Sequence, residues 1–236
     1  MLYLIGTGLS ENSITAEALK VIKKCETVYL ESYTVDFPYT IKNLEKQLKT
    51  KIISLSREQV ESESFLDEAK KQNIALLVYG DTLSATTHFS IIQTCKTKKI
   101  KYQILHNSSI LTAIAETGLQ LYKFGKTASM PKFQESFKPT SFIDLIKQNQ
   151  AIKAHTLLLI DIGLEIKQAL EQLKQSSQEK KLKLDKIIIC SQLGTQNSKI
   201  YYNTLNKLSK TIEQPYCIII PSELNFTEKE FLSKII

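Results

Sequence analysis

The stretch Leu76–Ser90, LLVYGDTLSATTHFS, decides the fold class, because an apolar run typical of a buried strand leads directly into a glycine and an acid. In open α/β sheets, the loops that follow the carboxyl ends of the strands line ligand crevices. Asp81 is therefore interpreted either as a turn residue or as a ligand contact. The same two alternatives, helix capping or binding of a polar small molecule, apply to the hydroxyl groups of Thr82, Ser84, Thr86 and Thr87.

Outward from that stretch, short apolar runs rich in β-branched residues recur and predict strands. In the first half of the chain these runs are Leu2–Ile5, Thr27–Leu30, Ile52–Leu55, Ile74–Val78 and Tyr102–Leu105. Segments with helical periodicity lie between them, at residues 14–24, 60–71 and 88–99. The alternation predicts parallel βαβ units.

The second half repeats the theme of strands and helices. Near-continuous apolar runs, typical of buried strands, lie in HTLLLIDI, KIIICSQLG and YCIIIP. Helical patterns separate them at residues 166–181 and 198–209, whereas residues 118–139 have no long period. We therefore predict an α/β protein with two α/β domains, 1–108 and 109–236, joined near residues 106–112.

Composition limits the class of protein further. The chain has 236 residues, of which 42% are hydrophobic and 23% charged, which is typical of a folded globular protein. The net charge of +7 weakly favours an acidic partner, but the lysines lie in amphipathic helical stretches, so no direct nucleic-acid contact is expected. No apolar run approaches the ~18 residues of a membrane span. We expect a cytoplasmic protein with no membrane contact.

Metal and redox motifs are absent from the cysteine pattern. The four cysteines at positions 25, 95, 190 and 217 lie far apart, with no CxxC pair and no histidine at zinc-ligand spacing. We therefore predict reduced thiols and no metal site.

Two glycines, Gly6 and Gly8, follow the first strand, where the missing side chains allow a tight turn or a close approach to a ligand. The dinucleotide fingerprint does not fit, because Glu11 occupies the position of its third glycine and the helical pattern starts only near Ile14. A plain turn and a ligand loop both remain open.

The segment HNSSIL follows the fifth strand. Its serines, Ser108 and Ser109, could cap a helix over residues 110–116 or present hydroxyl and amide groups to a crevice. The three histidines, His88, His106 and His155, belong to no Ser/His/Asp or HExxH arrangement, so we interpret them as structural.

Taken together and in order, several segments resemble the diphthine synthase family. They are MLYLIGTGLSENSIT, LSREQVE, YGDTLSATTH, TGLQLYKFGKTAS, FKPTSFIDLIKQN, HTLLLIDI and IIIPSELNFTEKEFL. The resemblance covers essentially the whole chain. Its most specific parts are the GD…ATTH loop and GLQLYKFGKT, which distinguish this family from other methyltransferases of the tetrapyrrole methylase type.

This resemblance implies an enzyme that uses S-adenosyl-L-methionine, releases S-adenosyl-L-homocysteine and methylates the amino group of a modified histidine on translation elongation factor 2. That reaction is a step of diphthamide biosynthesis. The family has two α/β domains of the tetrapyrrole methylase type, with the cofactor in the cleft between them, and its members are typically homodimers. A compact chain resembles the members that add three methyl groups rather than those that also methylate a carboxylate.

Carried onto this sequence, the family's cofactor contacts fall at Leu9, Asp81, Ser84, Ser109, Ile110, Ile160, Leu193 and Tyr216. The Asp81 carboxylate would be available to polar parts of the ligand. Tyr79 and Thr82 stand where the family usually has prolines, so this loop loses a restriction on φ. Asn107 and Ser108 likewise replace a common alanine and proline.

No general base can be assigned from the sequence, and we expect positioned main-chain groups and a water route to suffice. A rival of the same fold would methylate a tetrapyrrole or RNA, since the cofactor site does not specify the acceptor. A rival of another class is a basic, non-catalytic nucleic-acid-binding module, which would bind with a steep salt dependence.

Overall fold

The computed structural model describes residues 1–208 and 211–235. The chain divides into two compact units, Met1–Ala113 and a second that starts at Ile114. Each unit is built on a five-stranded sheet. The α/β class and the presence of two sheets confirm the predicted fold.

The first unit has five strands: β1 (Leu2–Gly6), β2 (Thr27–Glu31), β3 (Ile53–Leu55), β4 (Ile74–Val78) and β5 (Tyr102–Leu105). They lie in the order β3-β2-β4-β1-β5, and every adjacent pair is parallel. All five predicted strands and the parallel βαβ arrangement are confirmed. Because β1 lies between β4 and β5, the loops after these three strands emerge side by side.

The helices of the first unit are α1 (Ala16–Ile22), α2 (Ile41–Leu48), α3 (Arg57–Glu61), α4 (Phe89–Thr97) and α5 (Ile110–Ala113). The helix predicted over residues 60–71 is wrong in form, because α3 ends at Glu61 and a 3-10 helix covers Ser64–Lys70. Glu63 between them has a φ of 53°, in the left-handed region, which interrupts an α-helix. A 3-10 turn, Ile114–Thr117, likewise follows α5.

Both faces of the first sheet are buried at its central strands β1, β2 and β4. Leu2, Leu4 and Leu76 point to one face and pack in a cluster that includes Ile91 of α4, whereas Ile5 and Leu77 point to the other face. That second cluster includes residues of α1 and α2. Parallel strands covered on both sides are near-continuously apolar, which is why these runs could be recognised in the sequence.

The second unit has the strands β6 (Ala128–Met130), β7 (Thr156–Ile160), β8 (Lys186–Ser191), β9 (Lys199–Thr204) and β10 (Tyr216–Ile220). They lie in the order β6-β7-β10-β8-β9. Only the β6–β7 pairing is parallel, and the pairings of β7 with β10, β10 with β8 and β8 with β9 are antiparallel. The second half therefore does not repeat the all-parallel strand pairing of the first half.

The helix predicted over residues 198–209 is wrong. Residues Lys199–Thr204 form β9, which pairs with β8 over six residues, and a 3-10 turn covers Leu205–Lys207. The segment KIYYNT is rich in aromatic and β-branched residues, which favour a strand, and pairing with β8 outweighs its helical spacing. Residue 209 lies outside the described residues.

The helices of the second unit are α6 (Ser141–Ala151), α7 (Ile166–Glu179) and α8 (Phe226–Ser233). Phe142 and Ile146 of α6 and Leu173 of α7 pack with β-strand residues such as Leu158 and Ile218 in one core cluster. The helical pattern predicted at residues 166–181 is confirmed by α7.

Candidate functional site

Polar loops and glycines meet at the carboxyl edge of the first sheet. Thr7 and Gly8 follow β1, and Tyr79 and Gly80 follow β4. The two loops pair at a single bridge, in which the N–H of Gly8 donates to the carbonyl of Gly80 over 3.0 Å and the N–H of Gly80 donates back over 2.9 Å. This reciprocal bridge ties the two loops by their main chains alone.

Three glycines make this contact possible. Gly8 and Gly80 have φ values of +74° and +72°, a backbone conformation that residues other than glycine rarely adopt. A Cβ on Gly6 would lie 2.6 Å from the Gly80 carbonyl oxygen, and one on Gly8 would lie 2.4 Å from Cβ of Ser13. Gly6 and Gly8 therefore allow close packing of the chain at this point, whichever of the two predicted roles, plain turn or ligand loop, they also have.

The Asp81 carboxylate is the polar centre of this edge and is almost fully buried. Its Oδ1 accepts hydrogen bonds from the N–H of Leu83 over 3.2 Å and from the Ser84 hydroxyl over 3.1 Å. Its Oδ2 accepts from Nδ1 of His106 over 2.8 Å and from the N–H of Asn107 over 3.0 Å. Asp81 therefore holds the loop after β4 to the loop after β5.

Burial disfavours the charge of Asp81, but these hydrogen bonds outweigh that effect. The N–H of Asn107, the His106 ring, the N–H of Leu83 and the Ser84 hydroxyl together hold the pKa of the Asp81 carboxyl below its usual value. The carboxylate is thus a fixed negative charge at neutral pH whose oxygens already accept four hydrogen bonds from the chain.

Asn107 completes the connection, and sequence reasoning gave it no role. Its Nδ2 donates to the carbonyl of Gly6 over 3.0 Å and to the carbonyl of Ser13 over 3.1 Å. Together with its N–H bond to Asp81, this side chain joins the loops after β1, β4 and β5. Its place two residues beyond a strand that neighbours β1 is the signal that could have found it.

The departure at Tyr79 has a structural counterpart. The Tyr79 hydroxyl donates to the carbonyl of Leu9 over 3.0 Å, and its ring lies edge-on to Phe37 with 5.5 Å between centroids. Burial and, to a smaller extent, Tyr39 raise the pKa of Tyr79, so the hydroxyl stays protonated as a donor. The Tyr79 side chain restrains the loop through these contacts, whereas a proline would restrain the φ angle of its own backbone.

The structure brings the other predicted residues of the first unit to the same place. The space over Gly80 is bordered by Leu9 and Ser109, because a Cβ built there would lie 3.9 Å from Cδ2 of Leu9 and 3.7 Å from Cα of Ser109. Both residues are buried, Ser84 binds Asp81, and Ile110 begins α5. Four of these five predicted residues therefore lie on the three joined loops, and Ile110 directly follows the third loop as the first residue of α5.

The remaining predicted residues lie at one edge of the second sheet. Tyr216 begins β10 opposite Ser191, Leu193 lies two residues beyond Ser191, and the Cys217–Leu159 pairing places Ile160 beside Tyr216. The Tyr216 hydroxyl donates to the carbonyl of Leu164 over 2.7 Å. Burial, with a contribution from Glu165, raises the pKa of Tyr216.

The segment GLQLYKFGKT has a different role, at the opposite edge of the second sheet. Its Lys123 and the N–H of its Gln120 bind the buried carboxylate of Glu228 in α8, over 2.5 Å and 3.1 Å. The N–H of Asn225 (2.9 Å) and Nε2 of His155 (3.3 Å) supply two more donors to Glu228. We call these five residues the Glu228 network. It docks α8 onto the sheet and explains the segment structurally.

The three joined loops leave main-chain groups open to a ligand. Glycine leaves the main chain uncovered, so polar main-chain groups can approach a ligand closely, beside the apolar side chain of Leu9. Within residues 1–208 and 211–235, no group of three or more His, Cys, Asp or Glu side chains is arranged to hold a metal ion. Nor does any helix in those ranges have the length and apolar character needed to cross a membrane.

Comparison with known proteins places this arrangement in a family. The family model of tetrapyrrole (corrin/porphyrin) methylases matches residues 1–209. A protein of Arabidopsis thaliana named a probable diphthine methyl ester synthase is 33% identical over 268 aligned positions, which cover 98% of this chain and 97% of that relative. The chain belongs to the diphthine synthase family.

Solved structures of this diphthine synthase family have the same fold. A crystal structure from Entamoeba histolytica is 32% identical, with a TM-score of 0.90, and the match covers 100% of this chain and 98% of the other. A crystal structure of a diphthine synthase is 29% identical, also with a TM-score of 0.90, over 99% and 95% of the two chains.

Fungal members of the diphthine synthase family match over a shorter region. The diphthine methyl ester synthase of Schizosaccharomyces pombe is 42% identical over 168 residues, which is 70% of this chain and 59% of the relative. The Saccharomyces cerevisiae enzyme of that name is 44% identical over 169 residues, which is 56% of its length. The matched region thus spans little more than half of these fungal relatives.

Proposed function

We propose that this chain is an S-adenosyl-L-methionine-dependent methyltransferase of diphthamide biosynthesis, acting as a homodimer on translation elongation factor 2. The acceptor is the amino group of the modified histidine, which receives three methyl groups. The single observation that carries the proposal is the glycine-lined edge where Asp81 and Asn107 join three loops, in a chain of the diphthine synthase family.

The residues proposed to hold the cofactor are Leu9, Asp81, Ser84, Ser109 and Ile110 of the first unit. Ile160, Leu193 and Tyr216 are proposed as further contacts, supported by their shared sheet edge. S-adenosyl-L-methionine supplies an electrophilic methyl group on a sulfonium, whose positive charge disperses as the methyl group is transferred. The product is S-adenosyl-L-homocysteine.

The chain's own contribution is to position the reactants. Asp81 is held by four donors and Asn107 by four partners, so the loops are organised before any ligand arrives. Such fixed geometry can supply much of the catalysis of an in-line displacement. The acceptor amine loses its proton to water before each attack, and a quaternary ammonium cannot attack again, which stops N-methylation at three.

Ester formation is the second candidate reaction. The relatives from Schizosaccharomyces pombe and Saccharomyces cerevisiae are named diphthine methyl ester synthases, and that name favours an added methyl group on a carboxylate. Both reactions would use the same cofactor site, since only the acceptor atom differs.

The test is the mass of elongation factor 2 carrying the unmethylated histidine intermediate, after incubation with this protein and S-adenosyl-L-methionine. Three added methyl groups are expected, and a fourth would establish ester formation as well. No mass change, in a protein that binds the cofactor, would contradict the acceptor and favour a tetrapyrrole or RNA instead. Steeply salt-dependent nucleic-acid binding without cofactor affinity would favour the basic binding module.

A further inference from the structure

A second buried acid lies at the carboxyl edge of the first sheet and has no part in the site described above. Glu31 ends β2, which neighbours β4, and its side chain is completely buried. His88, which precedes α4, is also buried, and its Nε2 lies 3.6 Å from Oε2 of Glu31. Among the described residues, His88 is the one basic side chain within 4.0 Å of Glu31, and the charge of Glu31 also helps to raise the pKa of Tyr33.

The neighbours of His88 determine where its protons are. Nδ1 lies 3.3 Å from the carbonyl oxygen of Thr82, which can only accept a hydrogen bond, so Nδ1 carries a proton. If Nε2 were bare and Glu31 ionised, two lone pairs would face each other in a site without solvent. Nε2 faces Oε2 across 3.6 Å, and a proton on either atom would join the two side chains.

This pair is a poor source of stability. In the described parts of the chain, neither oxygen of Glu31 has a hydrogen-bond partner, and the buried hydroxyl of Thr82 has none either. A buried ionisable pair with so few hydrogen bonds is often no more stabilising than apolar residues of the same volume. Its presence at this edge is therefore better explained by what it holds in place.

What the pair holds is the loop that carries Asp81. The Thr82 carbonyl, which accepts from His88, belongs to the residue directly after Asp81 and also accepts from the Thr86 hydroxyl over 3.1 Å. Asp81 fixes the start of this loop to the β5 side, and His88 fixes its end to β2. Ser84 lies between these two fixed points.

We propose that Glu31 and His88 are positioning residues for the methyl transfer, and that their shared proton holds the loop of residues 82–87 in its cofactor-binding shape. The inference rests on the proposed function, because the loop matters only if Asp81 and Ser84 belong to the cofactor site. Neither residue needs to contact the cofactor.

The shared proton can be tested in the unaltered protein. In full-length protein labelled with 15N-histidine and 13C-glutamate, NMR at neutral pH should show a protonated Nδ1 on His88. It should also show one proton on either Nε2 of His88 or the Glu31 carboxyl. A bare Nε2 together with an ionised Glu31 would overturn the inference.

Substitutions then test positioning. An amide N–H in Glu31→Gln can take the place of the shared proton, so this variant should bind S-adenosyl-L-homocysteine within about threefold of the unaltered protein. Glu31→Ala cannot, and we expect its affinity and transfer rate to fall by about tenfold to a hundredfold, as displaced positioning groups do. The matched control is Tyr29→Phe, on the same strand as Glu31, which removes the hydrogen bond from Tyr29 to Glu68. It should change neither the affinity nor the transfer rate.

The outcomes separate this inference from the proposed function. If the unaltered protein binds no S-adenosyl-L-homocysteine, the proposed function fails, and the failure is seen without any variant. If the unaltered protein binds it and Glu31→Ala binds equally well, only the positioning role fails. Loss of transfer in His88→Asn with unchanged affinity would make His88 a proton acceptor and also overturn the inference. If Glu31→Ala does not fold, Glu31→Gln and the NMR measurement decide.

Discussion

The two units each bury a glutamate beside a histidine, but they complete the pair in opposite ways. In the second unit, the N–H of Ser222 donates to Nδ1 of His155 over 2.9 Å, so Nε2 carries the proton and donates to Glu228. Glu228 accepts from three further donors. In the first unit, the carbonyl of Thr82 reverses the tautomer of His88, whose Nε2 lies 3.6 Å from Glu31, and neither oxygen of Glu31 accepts a hydrogen bond among the described residues.

The same two side chains can therefore serve stability or positioning, depending on how many donors surround the acid. A carboxylate with four donors is stabilised as an anion, and removing it leaves those donors unpaired. A carboxylate that faces one imidazole at 3.6 Å has no set of donors to lose, so an amide can replace it. The predictions below test this contrast, starting with the largest expected effect.

The same substitution should have different costs at the two sites. Glu228→Gln places an NH₂ group against donors and removes the partner of Lys123, so we expect a loss of about 3–5 kcal/mol in the free energy of unfolding. Glu31→Gln should change it by less than about 1 kcal/mol. Urea unfolding followed by circular dichroism measures both. Equal losses would show that the two pairs do not differ as described.

Acid should remove the contribution of Glu228. Burial opposes its charge, but Lys123, Asn225, Gln120 and His155 together lower its pKa from 4.5 to about 2. A folded-state pKa below the unfolded value stabilises the protein above pH 4.5, and that stabilisation is lost as the pH falls toward 2. The shift corresponds to about 3 kcal/mol.

Urea unfolding at a series of pH values between 6 and 3 measures this loss. Glu228→Gln is the control, because it has no carboxyl at this position to titrate. If the stability of Glu228→Gln falls with acid as steeply as that of the unaltered protein, the loss comes from other carboxyl groups.

Two glycines provide a matched test of which region binds the cofactor. Gly8 and Gly118 have φ values of +74° and +77°, and a Cβ on each would lie 2.4 Å from Ser13 and 2.3 Å from Phe231. Alanine at either position should cost about 1–3 kcal/mol of stability through overpacking. Calorimetry should show weaker S-adenosyl-L-homocysteine binding for Gly8→Ala alone. Equal weakening in Gly118→Ala would remove the assignment of the cofactor to the first-unit loops.

The smallest expected effect concerns one donor of Asp81. Ser84→Ala removes one of four hydrogen bonds to the carboxylate and should cost about 1 kcal/mol in unfolding free energy. Ser62→Ala, which removes an exposed hydroxyl bond to the carbonyl of Gln59, is the control and should cost less. A larger loss for Ser62→Ala would show that burial of the bond does not set its contribution.

The first unit could be predicted from the sequence more fully than the second, for a physical reason. Parallel strands covered on both faces produce apolar runs, and Leu2–Ile5 and Ile74–Val78 each correspond to such a strand. In the second unit, the edge strand β9 is half-exposed and its polar and aromatic residues follow a misleading helical spacing. Its antiparallel pairing with β8, the preceding strand, holds it extended, and side-chain periodicity does not report that pairing.

The candidate site divides in a similar way. The glycine loops and Asp81 could be predicted because loops after parallel strands meet at one edge. Two residues that bind the Asp81 carboxylate, His106 and Asn107, lie 25 and 26 residues away from it in the sequence. The tautomers of His88 and His155 depend on single main-chain groups, Thr82 and Ser222, that no local pattern indicates. The binding roles of the eight predicted cofactor residues stay predictions.

The reciprocal bridge between Gly8 and Gly80 has a consequence for motion. Because each glycine both donates to and accepts from the other, the loops after β1 and β4 cannot separate without breaking two hydrogen bonds together. Any opening that admits a ligand over one loop must then carry the other with it. The amide hydrogens of these two glycines should therefore exchange with deuterium at matched rates, as one cooperative opening unit.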